Sequence, residues 1–220
     1  MIQWLADNVV LVAVALLAAG AGLALAHERR RRQRLVAGYA RLDLERLPEA
    51  HLAPLMGPDR FWLLNQPAWW RAAELARGHW QGREVVQFRL TLPDAIGRGQ
   101  HQTATLIRDA GELPAFHLRP ESLRDRMGAA LGDAGIDYPA LSRYTGASTT
   151  DGDGGATPRD ILPTELLEYL QRDSGWCLEA RGGHLLVFQG HNMVRTPADI
   201  EWHLQQATWM HARLLAMYSD

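Results

Sequence analysis

Residues 84–92 of the chain read EVVQFRLTL, and from Val86 onward every second side chain is large and apolar. This period of two is typical of a β-strand with one face against a protein core. The glycines at positions 97 and 99 predict a turn, and Thr103–Arg108 is predicted to return as the antiparallel partner. An antiparallel sheet is therefore the expected centre of the fold.

The residues before this strand allow two interpretations. The segment 72–77, AAELAR, has helical propensity and is followed by Gly78, a residue type that commonly ends helices. The same region also fits a hairpin loop at 78–83 that leads into the strand. Upstream, residues 35–47 are rich in helix formers and predict a linker helix that stops at Pro48.

The residues after the strand pair predict further strands and helices. Thr196 and Pro197 have the residue types of a helix cap and first helical position, so a long C-terminal helix is expected to begin there. The other predicted elements are a strand at 116–119, helices at 122–131 and 163–171, and a hairpin with strands 176–180 and 184–189. An α+β domain over residues 59–220 follows, with an antiparallel sheet, packed helices and a long C-terminal helix.

The N-terminal region has a different composition. Val9–Ala26 is a run of 18 residues drawn only from Val, Leu, Ala and Gly. As a helix it would extend about 27 Å, close to the hydrocarbon thickness of a bilayer. A core helix would normally show a polar stripe, and this run has none. The sequence therefore predicts a transmembrane helix at 9–26, preceded by a short extracytoplasmic N-terminus at 1–8.

Basic residues follow the apolar run at once and predict its orientation. A cleaved signal peptide is the alternative, but residues 1–8 carry Asp7 and no basic side chain. Arginines directly after an apolar run mark the cytoplasmic side and attract anionic lipid. The topology and membrane-surface residues are Arg29, Arg30, Arg31, Arg32 and Arg34. We expect residues 27–58 to form a basic juxtamembrane segment and linker helix, with the main domain cytoplasmic, at a bacterial inner membrane.

Composition excludes several other classes of protein. The 220-residue chain has a net charge of -2, which argues against a nucleic-acid-coating protein. A single cysteine excludes an internal disulfide and a thiolate-rich zinc site. We expect no cofactor.

The candidate reactive and metal-binding residues also fail their tests on sequence. The loop at 151–155, DGDGG, lacks the later ligands of a calcium loop. His203 and His211 are two helical turns apart, too far to share a metal without a third element, and His184 and His191 flank a strand. Cys177 lies within a predicted strand, where a lone cysteine is usually buried. No catalytic or metal-binding residue is therefore predicted.

Tryptophans are the remaining candidates, because Trp is favoured at protein interfaces. Trp69 and Trp70 are adjacent in sequence, and Trp202 and Trp209 share one face of the C-terminal helix. We single out Trp202 and Trp209 as the candidate interface, with core packing as the alternative role.

Several turn and strand-end motifs resemble a known group. These are Arg77-Gly78-x-x-x-Gly82-Arg83-x-Val85, the segment 113–121 (LPAFHLRPE) and the hairpin at 176–188. Over residues 75–215 they loosely resemble a group of uncharacterised bacterial single-pass membrane-anchored proteins with a cytoplasmic α+β domain. The resemblance implies no activity and no catalytic residue. Together these features favour a non-enzymatic single-pass protein that binds other proteins as an accessory subunit of a membrane complex. A membrane-tethered enzyme, for instance a hydrolase, is the alternative.

Overall fold

A computed structural model describes residues 9–48, 61, 71–93, 99–120, 144–145, 161–173, 175–189, 194 and 196–218. Several sequence-based predictions lie outside the described residues: the N-terminus at 1–8, the helix at 122–131, the loop at 151–155, the Trp69–Trp70 pair and His191.

The centre of the fold is a sheet in which every neighbouring pair of strands is antiparallel. The strand order is β1-β2-β3-β4-β8-β7-β5-β6. The strands are β1 (Leu44–Arg46), β2 (Arg71–Trp80), β3 (Arg83–Pro93), β4 (Gly99–Ile107), β5 (Phe116–Pro120), β6 (Tyr144–Thr145), β7 (Trp176–Arg181) and β8 (His184–Gln189). The described helices are α1 (Val9–Arg41), α2 (Thr164–Arg172) and α3 (Pro197–Tyr218). The α+β class predicted from sequence is confirmed.

The ambiguous segment before β3 is a strand, so its helical interpretation is wrong. Residues 72–77 belong to β2, which pairs with β3 on one side and with β1 on the other. Gly78 is not a helix cap but the β2 residue opposite Leu44, and a Cβ there would collide with the carbonyl oxygen of Asp43. Pairing on both sides overrides the helical propensity of an alanine-rich segment.

A β-bulge interrupts the pairing of β2 with β3 between Ala73 and Ala76. Glu74 lies in the bulge with a φ of 56°, a left-handed conformation that is uncommon for a residue other than glycine. Bulges redirect side chains, and this one turns the Glu74 carboxylate toward α1.

The first helix is continuous from Val9 to Arg41 and ends earlier than the sequence predicts. The predicted linker helix was expected to reach Leu47, but the chain turns after Arg41, with Asp43 at a φ of 54°. It then forms β1, because Leu44–Arg46 can pair with the open edge of β2. Leu35, Tyr39 and Leu44 are buried in the core, although they precede residue 59.

Three helices contribute to the core on one face of the sheet. α3 contacts β4 and β8, α2 contacts α3, and the second half of α1 contacts β1 and α3. The predicted start of α3 is confirmed: Thr196 Oγ1 accepts a hydrogen bond from the Asp199 amide at 3.3 Å, and the Asp199 carboxylate accepts one from the Thr196 amide at 2.8 Å. This reciprocal cap fixes the point at which α3 begins beside α1.

Candidate membrane and partner surfaces

Among the described residues, one helix is long and apolar enough to cross a membrane, and it lies near the N-terminus. None of its apolar window is buried against the rest of the chain. Leu16, Leu17 and Leu25 are each about 70% exposed, on different sides of the helix. An apolar helix exposed on several sides has no protein partner within the described chain to remove it from water.

The five arginines that follow divide into two groups. Arg29, Arg30, Arg32 and Arg34 are exposed, whereas the side chain of Arg31 is only 14% exposed. One guanidinium nitrogen of Arg31 lies 3.3 Å from the Glu74 carboxylate, and another lies 3.3 Å from Glu28. Arg31 is therefore bound to the domain. Of the other four arginines, Arg32 pairs with Glu28 within the helix at 3.0 Å, and all four side chains remain accessible to solvent or lipid.

Arg31 belongs to a network that joins α1 to the sheet. One guanidinium nitrogen of Arg89, on β3, lies 3.3 Å from the same Glu74 oxygen, so one carboxylate lies between two guanidinium groups. We call Glu28, Arg31, Glu74 and Arg89 the juxtamembrane cluster. The sequence alone does not predict this cluster, because the bulge that presents Glu74 has no sequence signature.

The end of the β3–β4 hairpin lies beside this cluster. The Thr91 hydroxyl is hydrogen-bonded to Nδ1 of His101 at 3.0 Å. Partial burial and the nearby positive charge of Arg89 lower the pKa of His101, which favours a neutral imidazole. The Thr91–His101 pair lies two residues beyond Arg89 along β3, so this end of the hairpin follows directly on the cluster.

The second half of α1 is embedded in the domain. Leu35 and Tyr39 are buried, and a Cβ on Gly38 would lie only 2.9 Å from the Pro197 side chain of α3. Arg41 adds an ion pair to Glu201 at 3.6 Å. α1 therefore continues from its apolar segment into the domain core without a break in the helix.

The two candidate interface tryptophans have different environments. Trp202 is 37% exposed on α3 and packs against Trp176, with ring centroids 5.6 Å apart and the planes inclined at 36°. Trp176 is fully buried, and its indole N–H donates to Asp173 at 3.0 Å. A rigid, buried ring thus supports an exposed one, an arrangement suited to a contact surface.

Trp209 is half-buried and already has neighbours within the chain. Its ring centroid is 4.9 Å from that of Tyr169, and the Arg213 guanidinium lies 5.8 Å above the indole. The Tyr169 hydroxyl donates to Gln206 at 2.9 Å, and burial, then the Asp173 carboxylate, raise the pKa of Tyr169 to about 12. Trp202, Gln206, Trp209 and Arg213 share one face of α3, on which Trp202 is the more accessible aromatic residue.

The histidines of α3 bind the sheet at separate points. His203 Nδ1 is hydrogen-bonded to the Thr105 hydroxyl at 2.9 Å, and His211 Nε2 donates to the Ala110 carbonyl at 2.9 Å. Complete burial lowers the pKa of His203 to about 4, and burial also lowers that of His211. Both histidines connect α3 to β4 and the segment after it.

The other residues considered for chemistry are enclosed. Cys177 is fully buried and His184 is 8% exposed, so neither has the open, electropositive setting of a reactive thiol. Within the described residues, no group of three His, Cys, Asp or Glu side chains could hold a metal ion.

These features define a class: an antiparallel α+β domain that carries an exposed apolar helix at its N-terminus. A solved structure with a similar fold is that of the mycobacterial trehalose monomycolate transport factor A, TtfA, with a TM-score of 0.56 at 13% sequence identity. The similarity covers 84% of this chain and 95% of that one. At this identity the likeness shows a shared fold. No protein-family model matches the chain, and no curated protein matches it.

Proposed function

We propose that the chain is a non-enzymatic, single-pass inner-membrane protein whose cytoplasmic α+β domain binds other proteins, as an accessory subunit of a membrane complex. The observation that carries the proposal is the division of α1. None of its apolar window is buried in the chain, and its other half contributes Leu35 and Tyr39 to the domain core. A bilayer would cover the first half and hold the domain at a fixed place beneath it.

The exposed arginines support the orientation. Arg29, Arg30, Arg32 and Arg34 lie immediately after the apolar segment and are free to remain on the cytoplasmic side. In this arrangement residues 1–8 are outside, 9–26 span the bilayer, and the domain is inside. The fold similarity to TtfA is consistent with an accessory role, because TtfA is a transport factor.

Reporter fusions test the orientation. A periplasmic phosphatase fused to the C-terminus should be inactive, and a cytoplasmic fluorescent protein at the same position should be bright. Replacing the four exposed arginines by glutamine should weaken this orientation, whereas Arg46→Gln, an exposed arginine beyond the helix, should leave it unchanged. An active phosphatase on the native chain, or a mature protein that begins at His27, would contradict the proposal.

Trp202 is the proposed centre of the partner surface, with Trp209 at its flank. A photo-crosslinking amino acid at position 202 in living cells should produce a discrete crosslinked species. The same group at Glu112, an exposed residue after β4, should not. Trp202→Ala should then abolish co-purification of the crosslinked protein from detergent. Crosslinking that is equal at both positions would contradict a partner surface on α3.

A further inference from the structure

The juxtamembrane cluster lies very close to the apolar segment of α1. Arg31 is five residues beyond Ala26, which corresponds to about 7.5 Å along the helix axis. Side chains on a helix lean toward its N-terminus, so the Arg31 guanidinium lies nearer to the membrane end than its own Cα. Glu74 contacts both Arg31 and Arg89 at this level.

Strand β3 runs toward the same end of α1. Leu44, just after α1 ends, pairs with Gly78, and Gly78 pairs with Val85 near the start of β3. Arg89, four residues later, shares the Glu74 carboxylate with Arg31, which is ten residues before the end of α1. From Val85 to Arg89, β3 therefore runs from the C-terminal end of α1 toward the apolar segment of that helix.

The hairpin continues beyond the cluster. The described pairing of β3 with β4 extends through Thr91 and His101 to Pro93 and Gly99, four residues past Arg89. Four strand residues span about 13 Å, or about 9 Å if the strand is inclined by about 45° to the helix. Either distance exceeds the 7.5 Å or so between Arg31 and the end of the apolar segment. The headgroup layer is itself about 5–8 Å thick on each side of the hydrocarbon core.

We propose that this end of the β3–β4 hairpin, at Thr91 and His101, rests in the headgroup layer of the membrane that α1 crosses. The proposal depends on the proposed membrane anchoring. The domain would then have two contacts with the bilayer, the helix and the hairpin, which together fix its tilt. The juxtamembrane cluster is the brace between them, because it ties Arg31 of the helix to Arg89 of the hairpin through Glu74.

The exposed chemistry of the hairpin end suits this position. His101 is exposed and Thr91 is hydrogen-bonded to it, so the two present neutral polar groups that can hydrogen-bond to lipid phosphate and ester oxygens. The exposed arginines of α1 lie at a similar depth and attract anionic headgroups to the same area. Phosphatidylglycerol-containing bilayers are therefore the expected surface.

Fluorescence quenching in vesicles tests the proposal with the full chain. Cys177 is fully buried, so a thiol-reactive fluorophore can be directed to one introduced cysteine in the native protein. The variants are His101→Cys at the hairpin end, His79→Cys at the opposite end of the sheet, and Leu17→Cys in the apolar segment. All three native side chains are exposed, and the two histidines form a matched pair. The vesicles contain equal parts of phosphatidylglycerol and phosphatidylcholine, with nitroxide on the headgroup or on the acyl chain.

The label at position 101 should lose most of its fluorescence to the headgroup nitroxide, and the label at position 79 should lose little. The label at position 17 should be quenched by the acyl-chain nitroxide, which reports the anchoring itself. Strong quenching at 17 with equal, weak quenching at 101 and 79 would overturn the hairpin contact and leave the anchoring intact. An unquenched label at 17 would overturn both.

Discussion

The two halves of α1 are continuous in backbone but differ in what surrounds them. In the first half, residues 9–26, no part of the apolar window is buried. In the second half, Leu35 and Tyr39 are 3% and 5% exposed, values typical of a protein core. One continuous helix thus has an exposed apolar half and a half that packs in the domain core. The backbone is the same in both, so the side chains determine the difference.

The pattern of side chains explains the difference. The first half is apolar on every side, so no face of it is distinguished for packing on a sheet. In the second half Arg31, Leu35, Gly38 and Tyr39 recur at spacings of three and four residues, which places them on one face. That face packs on the domain, and the intervening Val36 is 40% exposed. Equivalent substitutions should therefore have opposite consequences in the two halves.

The largest expected effect is a charge in the first half. Leu17→Arg places a guanidinium near the centre of the apolar segment, where insertion costs about 2.5–3.5 kcal/mol. Nine of the other 17 residues of the segment are alanine or glycine, which favour insertion only weakly, so we expect membrane insertion to fail. Val36→Arg introduces the same charge on an exposed site of the second half and should leave the protein in the membrane. Carbonate extraction of membranes measures both, and equal retention of the two variants would contradict the division of the helix.

A truncation in the second half should act on folding. Leu35→Ala removes a fully packed side chain from the core and should lower the free energy of unfolding by about 2–5 kcal/mol. Val36→Ala, one residue away and exposed, should change it by less than about 0.5 kcal/mol. Denaturant unfolding of the full chain in detergent micelles provides the measurement. Similar losses in the two variants would show that the second half does not pack as described.

The buried histidine of α3 that is hydrogen-bonded to Thr105 on β4 predicts a pH dependence of stability. The pKa of His203 is about 4 in the folded chain, against about 6.5 when exposed. The unfolded state therefore binds more protons between these values, and stability falls as the pH decreases from about 6.5 to about 4, by about 3 kcal/mol in total. Unfolding midpoints at about pH 7 and about pH 4.5 should differ less in His203→Gln than in the native chain. An unchanged pH dependence in the variant would show that other groups cause it.

Much of the fold could be predicted where local chemistry and tertiary context agree. The alternation in β3, the hairpin around Gly182 and Gly183, and the cap at Thr196 are all local patterns, and the structure contains each element. The buried positions of α3, such as Ile200 and Leu204, likewise follow the helical period. These features needed no information about distant residues.

The juxtamembrane cluster could not be predicted, because the contacts of Glu74 with Arg31 and Arg89 join residues that are distant in sequence. In the sequence Arg31 is one of several arginines in a basic run. It differs from Arg30 only because its guanidinium donates to Glu74, 43 residues later in the chain. Glu74 in turn lies in an alanine-rich segment with helical propensity, and its orientation results from a bulge that the pairing with β3 creates. Gln87 is a similar case: it lies on the polar face of β3 and is nevertheless fully buried.

The smallest expected effect tests this distinction between neighbouring arginines. Arg31→Gln removes the guanidinium from a Glu74 carboxylate that is 14% exposed, and hydrogen bonds of this charged, partly buried type contribute about 1–2 kcal/mol. Arg30→Gln removes an exposed charge of the same kind and should change the free energy of unfolding by less than about 0.5 kcal/mol. Because Arg89 still pairs with Glu74 in the Arg31 variant, the loss should remain below that of Leu35→Ala. Glu74→Gln should lower stability by at least as much as Arg31→Gln, since it leaves two partly buried guanidinium groups without their shared carboxylate. If Arg30→Gln and Arg31→Gln are equally harmless, the two arginines are equivalent, and the helix is joined to the sheet by its apolar contacts alone.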